Sequence, residues 1–404
     1  MPLMVALLFL PAVFTSFFPG KIIAVSFVSF AIISFLLIQN RKAFNYEDFN
    51  ARQTFYLFLA FNVITLLRGV PNIQDSTDVH VLLSNDIFVY LLYPFFLYFA
   101  DLDLLLKVWK SLCTIGIIGC LITLIKPPTD GMMSFAHNLT FLHLFFLCTP
   151  FIHRKYLYLF LSIASFAVLW NLDRRSILVN YSMLVGILLF YRFLWHAHLR
   201  KLIFWCSAVT PLVLLVLGLT GVFNVFKYVE RLNVGIETTA ERKFNVDSRT
   251  GIYTDVFGEL TSQNKLVFGL GARGKTATSL SNDENHDYWI IYKNGRSQTE
   301  SGMLNYFQYG GFVGYLVYTM FFLTCAYFAL FRSKNDFLKL IGIFLCFKYF
   351  YSFIEDQVSN NLATFYLYLL FGISLNKNFL NMTNKDVRHY LGSFFKSDFH
   401  LIRW

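Results

Sequence analysis

The sequence predicts an all-α polytopic membrane protein with about twelve transmembrane helices and one large external loop. Of its 404 residues, 56% are hydrophobic and only 14% are charged, and the mean hydropathy is +0.53. This composition is too apolar for a soluble enzyme. Apolar segments near the roughly 20 residues that cross a bilayer recur along the chain. Because lipid offers no partners to backbone polar groups, such segments must be helices.

Twelve apolar segments are candidates for membrane spans. In chain order they are residues 3–18, 22–39, 54–67, 87–100, 106–125, 139–152, 156–170, 177–194, 201–225, 303–331, 337–354 and 362–375. The first segment is as short as a signal peptide, but it lacks a basic start and contains Pro11, so it is interpreted as a helix. The chain therefore divides into transmembrane parts at 1–225 and 302–376, a large loop at 226–301 and a basic tail at 377–404.

The charges of the connections predict the orientation, because cytoplasmic connections carry an excess of Lys and Arg. Alternate connections hold 18 basic and 7 acidic residues on one side, but 5 basic and 7 acidic residues on the other. Both termini are therefore predicted to be cytoplasmic, and the large loop is predicted to be external. The net charge of +10 thus reflects topology rather than nucleic-acid binding. The basic, aromatic tail is predicted to lie on the membrane surface as a helix.

Several kinds of site are disfavoured by the sequence. All six cysteines fall within predicted spans, which suggests neither a disulfide framework nor a zinc site. The predicted cytoplasmic connections carry no nucleotide-binding fingerprint. No cofactor and no metal are expected, and any reaction needs a substrate that arrives already activated.

The large loop holds ten basic and ten acidic residues and contains two recognisable elements. After Asp247 or Ser248, apolar positions repeat at intervals of three and four, which predicts a short helix with one of these residues as its cap. A glycine-rich turn with Gly269, Gly271 and Arg273 follows. Glycine amides and an arginine can hold an anion, although the spacing alone favours an ordinary surface turn.

Two other polar positions are predicted on the same external side. Glu300 begins the span 303–331, where a carboxylate is stabilised by the helix dipole or acts as a general base or hydroxyl-orienting acceptor. Arg174 and Arg175 lie in a short external turn, against the charge bias, and such arginines are usually paired or functional. Asp173 is available to pair with one of them, while Glu355 in the last external turn is a supporting candidate.

The joint order of these motifs resembles the superfamily of O-antigen polymerases (Wzy-type) and O-antigen ligases. The matching pieces are Asp173-Arg174-Arg175-Ser176, then Ser248-Arg249-Thr250 leading to Gly269-Leu270-Gly271, then Glu300-Ser301-Gly302-Met303-Leu304 leading to Gly311-Phe312-Val313-Gly314. Ligases of this superfamily typically have His-Asn where this chain has Glu300-Ser301, whereas many polymerases have an acidic residue. The difference favours a polymerase.

The resemblance implies a fold similar to that of GT-C-type membrane glycosyltransferases and glycosyl transfer at the periplasmic face of the bacterial inner membrane. The implied partners are an undecaprenyl-diphosphate-linked glycan donor, a lipid-linked acceptor, membrane lipids and a candidate chain-length regulator, with no nucleic acid. Fixed arginines would stabilise the departing diphosphate, and a carboxylate would engage the acceptor hydroxyl. The residues expected in these roles are Arg175 and Arg249, with Arg174 and Arg273 as further diphosphate ligands, Glu300 as the acceptor-engaging group, and Gly269, Gly271 and Glu355 as supporting residues.

Two alternatives remain open from the sequence. The first is an O-antigen ligase, and the second is a lipid-linked glycan flippase or another transporter. Carriers usually show internal repeats and broken helices with ionisable groups near the middle of the membrane. No inverted repeat is visible in this chain, and Lys348 is the only charged residue well within a predicted span.

Overall fold

The architecture is helical throughout the part of the chain that is described. A computed structural model describes residues 28, 31, 32, 35, 49–95, 102–125, 142–152, 154–170, 175–219, 249–277, 295–299, 301–355, 360 and 362–398. Within these ranges, β pairing is limited to two isolated antiparallel bridges, Phe49 with Asn376 and Thr276 with Arg296. The predicted span 3–18 lies outside the described residues, as does most of 22–39.

Three of the described helices are long and apolar enough to cross a membrane, namely Arg52–Asn72, Ala197–Leu217 and Gly302–Arg332. Shorter apolar helices accompany them at Val108–Ile118, Lys155–Phe166, Ile177–Phe193 and Ala363–Leu375. These lengths and compositions are those of a helical membrane protein. The number of twelve spans stays a prediction.

In the described residues, seven helices precede the large loop, and each overlaps a predicted span. They are α1 (Arg52–Gly69), α2 (Ser76–Val81, continuing through π-helical turns Leu82–Asp86 and Phe88–Leu92 to Tyr93–Phe95), α3 (Leu102–Ile125), α4 (Leu142–Cys148), α5 (Arg154–Trp170), α6 (Arg175–Phe193) and α7 (Ala197–Leu219). A 3-10 turn, Thr149–Phe151, follows α4.

The start of α2 differs from the prediction of a span at 87–100. The helix begins at Ser76, because the Asp75 side chain accepts a hydrogen bond from the Asp78 backbone amide and caps the first turn. Asp78 and Asp86, interpreted from the sequence as parts of a connection, therefore lie in the helix and are buried. The capping residue was a readable signal, but the charges beyond it obscured the apolar periodicity.

Within the described part of the chain six helices follow, the first of them in the large loop. They are α8 (Arg249–Ser262), α9 (Gly302–Tyr327, ending in a π-helical turn at Phe328–Arg332), α10 (Asp336–Tyr351), α11 (Leu362–Leu375), α12 (Lys377–Asn381) and α13 (Asn384–Asp398). The predicted loop helix is confirmed as α8. The tail is helical, as predicted, and α13 buries Val387 and Leu391.

Helix α10 lies at the centre of the described bundle. It packs against α4, α6, α7, α9 and α11, and it is apolar and buried on several sides, with fully buried side chains at Leu338, Ile341, Phe344 and Leu345. Helix α7, in contrast, exposes one apolar face, formed by Leu202, Trp205, Val209, Val213 and Val216. An exposed apolar stripe of this length is expected for a helix that faces lipid.

The connections separate into two groups at opposite ends of the bundle. At the end that we call the basic end, Trp195 Nε1 donates to Asp336 Oδ1 at 3.2 Å, and Asn384 Nδ2 donates to Asp336 Oδ2 at 3.1 Å. At the other end, which we call the loop end, the Gly302 amide donates to the Glu355 carbonyl at 3.1 Å. The sequence assigned the first group to the cytoplasmic side and the second to the external side.

Candidate functional site

The candidate site lies at the loop end, where three elements are joined around one serine. Ser301 caps α9, since its hydroxyl accepts a hydrogen bond from the Leu304 amide. The same Oγ lies 3.0 Å from the Ser352 carbonyl oxygen and 3.1 Å from that of Phe353, just beyond α10. Tyr253 of α8 donates its hydroxyl to the Phe353 carbonyl at 2.7 Å. We call this meeting point of α8, α9 and α10 the junction.

Glu300 directly precedes Ser301 in the sequence but lies outside the described residues. The backbone of Glu355 is held at the junction, because its carbonyl accepts a hydrogen bond from the Gly302 amide at 3.1 Å. Of the two predicted carboxylate residues, the described one therefore lies at this end of α9 and α10.

Arg249 belongs to the same region, since it is the first residue of α8. Tyr253, which reaches the junction, follows it by about one turn of helix, or about 6 Å along the axis. The Arg249 side chain is not among those described. Its backbone position nevertheless brings a predicted arginine ligand to the element that packs against Ser301.

The backbone of Arg175 lies on α6, a helix that packs against α10. Helices α6 and α10 are antiparallel, because Lys348 Nζ donates to Asn180 Oδ1 at 2.6 Å while the opposite ends are linked by Trp195 and Asp336. Arg175 begins α6, about 7.5 Å along the axis from Asn180. It therefore lies at the loop end, on the helix next to α10. Arg174 lies outside the described residues.

Lys348 and Asn180 are polar neighbours of the site whose pairing the sequence did not predict. Lys348 Nζ lies 5.5 to 5.9 Å from the ring centroids of Phe344, Phe347 and Tyr351. It is also about one helical turn from Ser352 of the junction. A lone lysine in an apolar span was the available signal, because such residues mark functional or paired positions.

Arg273 lies elsewhere and has a structural partner. Its Nη2 donates to Asp78 Oδ1 at 2.8 Å, and Lys275 Nζ lies 3.0 Å from the other carboxylate oxygen. Burial alone would raise the pKa of Asp78, but the hydrogen bonds from Arg273 and Lys275 outweigh burial and hold this pKa below its ordinary value of 3.8. The ion pair attaches the loop to the start of α2. Diphosphate binding by Arg273 stays a prediction, to which this pairing gives no support.

The glycine-rich turn is a docking element, and its interpretation as an ordinary surface turn was wrong. Gly269 and Gly271 have φ angles of 65° and 83°, and the turn from Gly271 to Gly274 is buried. The Leu270 and Gly271 amides donate to the carbonyls of Gln308 and Tyr309, both at 2.9 Å. These amides hold the loop against α9, so the supporting role of the two glycines in anion binding stays a prediction.

Comparisons with known proteins add no relative. No protein family matches the chain, and neither a curated protein nor a solved structure matches it. The placement of the chain's own residues therefore carries the functional interpretation.

Proposed function

We propose that this protein polymerises undecaprenyl-diphosphate-linked oligosaccharide repeat units into a surface polysaccharide such as O-antigen. The observation that supports the proposal is the loop end of the described bundle, where the junction and the first residues of α6 and α8 lie. Arg249 begins α8, Arg175 begins α6, Glu355 follows α10, and Glu300 is bonded to the cap of α9. A cationic pair and a carboxylate at one end of a bundle meet the needs of glycosyl transfer from a diphosphate.

The proposed reaction is a displacement at the reducing-end sugar of the donor. The acceptor hydroxyl oxygen attacks the anomeric carbon, and the bond from that carbon to the lipid diphosphate oxygen breaks, so that its electron pair leaves with the diphosphate. Glu300 receives the hydroxyl proton. Arg175 and Arg249, with Arg174 and Arg273 as further candidates, stabilise the charge of the diphosphate, for which the permanent charge and planar fork of arginine are suited.

The membrane setting follows from the charge distribution. The basic end contains most of the positively charged connections, so we place it in the cytoplasm and the junction at the periplasmic face of the bacterial inner membrane. Twelve spans in a GT-C-like arrangement then carry the large loop outside. Here the donor and the acceptor both reach the site by lateral diffusion in the membrane.

The direct test is polymerisation by the purified protein in nanodiscs supplied with defined lipid-linked repeat units. The wild type should yield a ladder of products, whereas Glu300→Gln should lose about 100-fold or more of the rate, the contribution expected of a general base. Glu259→Gln in α8 is the matched control. It makes the same substitution at a carboxylate whose hydrogen-bond partner is the exposed side chain of Gln263. A normal ladder from Glu300→Gln would overturn the assignment of the base.

The two alternatives are separated by deleting the gene in the source bacterium. Loss of a polymerase leaves single repeat units on the lipopolysaccharide core, loss of a ligase leaves none, and loss of a flippase traps the units inside. One observation favours a transporter: the backbone of α9 is broken at Gly311 (φ 61°, ψ −155°), as in the discontinuous helices of carriers. The glycine-rich turn fills this break, which reduces the weight of the observation.

A further inference from the structure

The segment Leu266-Val267-Phe268, just before the glycine-rich turn, combines two properties that rarely occur together in a water-exposed loop. Its side chains are apolar and 40%, 54% and 60% exposed, respectively. Its backbone carbonyl groups are nevertheless all hydrogen-bonded within the protein. Every carbonyl oxygen from Leu266 to Ala272 accepts a hydrogen bond from the protein.

The donors come from the two long helices on either side. The amides of Phe312 and Val313, set free by the break in α9, donate to Leu266 and Val267 at 2.9 and 3.1 Å. From the end of α1, Arg68 donates to the carbonyls of Phe268 and Gly269. The following carbonyls accept from Asn72 Nδ2 and from the Gly274 amide.

Such pairing is required of non-helical backbone at membrane depth. In lipid, an unpaired carbonyl costs several kcal/mol, whereas in water it is solvated without assistance. The pairing of seven consecutive carbonyls within the protein removes the acceptor part of this cost. The exposed side chains of the segment point to an apolar environment.

The segment is hydrogen-bonded to two candidate spans, each of which exposes apolar side chains close to the bonded residues. Helix α1 exposes Ile64 and Leu67, and α9 exposes Phe312 and Leu316 one turn apart. Both helices are long and apolar enough to cross a membrane, and they pack together, with the rings of Phe58 and Phe321 stacked at 4.2 Å. If these two helices span the membrane, their exposed apolar residues face lipid, and the segment connects the two helices there.

The position at which the segment contacts α9 also agrees with insertion of the segment only a short way into the membrane. The candidate span Gly302–Arg332 has 31 residues, which is longer than the roughly 20 needed to cross the hydrocarbon core. The 22 residues from Gly311 to Arg332 suffice for the crossing. The contact with Phe312 and Val313 then lies where α9 enters the lipid.

We propose that Leu266-Val267-Phe268 is a membrane-dipping anchor of the large loop, and that its side chains contact the acyl chains of phospholipids in the outer leaflet. The anchor holds the glycine-rich turn, and with it the loop, at a fixed height above the bilayer. This inference depends on the helical membrane character of the protein and, for the choice of leaflet, on the proposed orientation, but not on the reaction at the junction.

The test uses photocrosslinking of the full-length protein. A benzophenone amino acid is introduced at Phe268, and in a second variant at Val267, and the protein is reconstituted in nanodiscs of phosphatidylethanolamine and phosphatidylglycerol. Leu316 in the middle of α9 serves as the lipid-facing reference, and Gln263 in the exposed polar turn after α8 serves as the negative control. Adducts are identified by mass spectrometry.

Phospholipid adducts at positions 267 and 268 should approach the yield at Leu316 and exceed the yield at Gln263 by about tenfold. Yields no greater than those at Gln263 would overturn the proposal. It would also fail if the adducts formed with a second copy of the chain or only with a copurified polyprenyl lipid.

Discussion

Asp78 is the residue whose role is best defined by its contacts. Its carboxylate is buried between Arg273 and Lys275, and removing one partner of a buried ion pair leaves the other charge without compensation. Asp78→Asn should therefore lower the free energy of unfolding by about 3 kcal/mol. Thermal unfolding in detergent at pH 7 measures this loss, with Glu259→Gln as the control that should remain near the wild type.

The same pair makes the stability depend on pH. The folded pKa of Asp78 is below its ordinary value of 3.8, so the unfolded chain binds the proton more readily than the folded protein. The contribution of the pair is complete above pH 3.8 and is lost as the pH falls through the lowered pKa. The deficit of Asp78→Asn relative to wild type should shrink in that range, and a deficit that stays constant would contradict the pairing.

At single positions, the sequence predicted the types of functional residue better than their partners. Arg273 was visible as a cation beside two glycines, but Asp78 lies 195 residues earlier, and no local pattern relates them. Lys348 and Asn180 are likewise 168 residues apart. Glu300 was identified from its place before a predicted span and Arg249 from the family resemblance, whereas the meeting of α8 and α9 at one junction required the tertiary structure.

Among the elements, the break in α9 has the most specific requirement. Gly311 has a φ of 61°, in the region that side chains other than glycine avoid, and a Cβ at this position would overlap the Val267 backbone. The docked loop and the broken helix are thus complementary. The amides that the break releases, those of Phe312 and Val313, donate to carbonyl oxygens of the loop, so the amides and the carbonyls are both paired.

Gly311→Ala should destabilise the protein by at least about 2 kcal/mol, from backbone strain together with the displacement of Val267. Gly258→Ala is the matched substitution, because no atom lies within 4 Å of the added Cβ in α8. There the change should be neutral or stabilise by about 0.5–1 kcal/mol, since alanine favours the helix. Equal thermal stability of the two variants in detergent would contradict the role assigned to the break.

Helices were the most predictable level of this fold. Apolar length and periodicity located the described helices to within a few residues for most elements, as at 362–375, where α11 has the same bounds. The break in α9 was not predictable, because glycine is common in spans and the segment that fills it lies about 40 residues earlier. The early start of α2 was missed because Asp78 is paired with a distant loop.

At the scale of the described bundle, burial differs from helix to helix across the bundle, and the charge of the connections differs between its two ends. Across the bundle, α10 is buried while α7 exposes an apolar face, as expected when lipid rather than water surrounds the helices. Along the bundle, the described contacts of Trp195 with Asp336 and of Gly302 with Glu355 lie at opposite ends, which the charge count assigned to opposite sides. That count predicts a cytoplasmic basic end and an external loop end.

That orientation is open to a direct test with cysteine substitutions in the full-length protein. Gln263 in the turn after α8 and Lys385 in α13 are exposed at the loop end and the basic end, respectively. An impermeant maleimide applied to intact cells should label Gln263→Cys, because we place the loop end in the periplasm, whereas Lys385→Cys should require permeabilised membranes. The unsubstituted protein measures background labelling of the native cysteines, of which Cys206 is exposed on the apolar face of α7. Labelling of Lys385→Cys in intact cells, with Gln263→Cys protected, would invert the topology and move the junction to the cytoplasmic side.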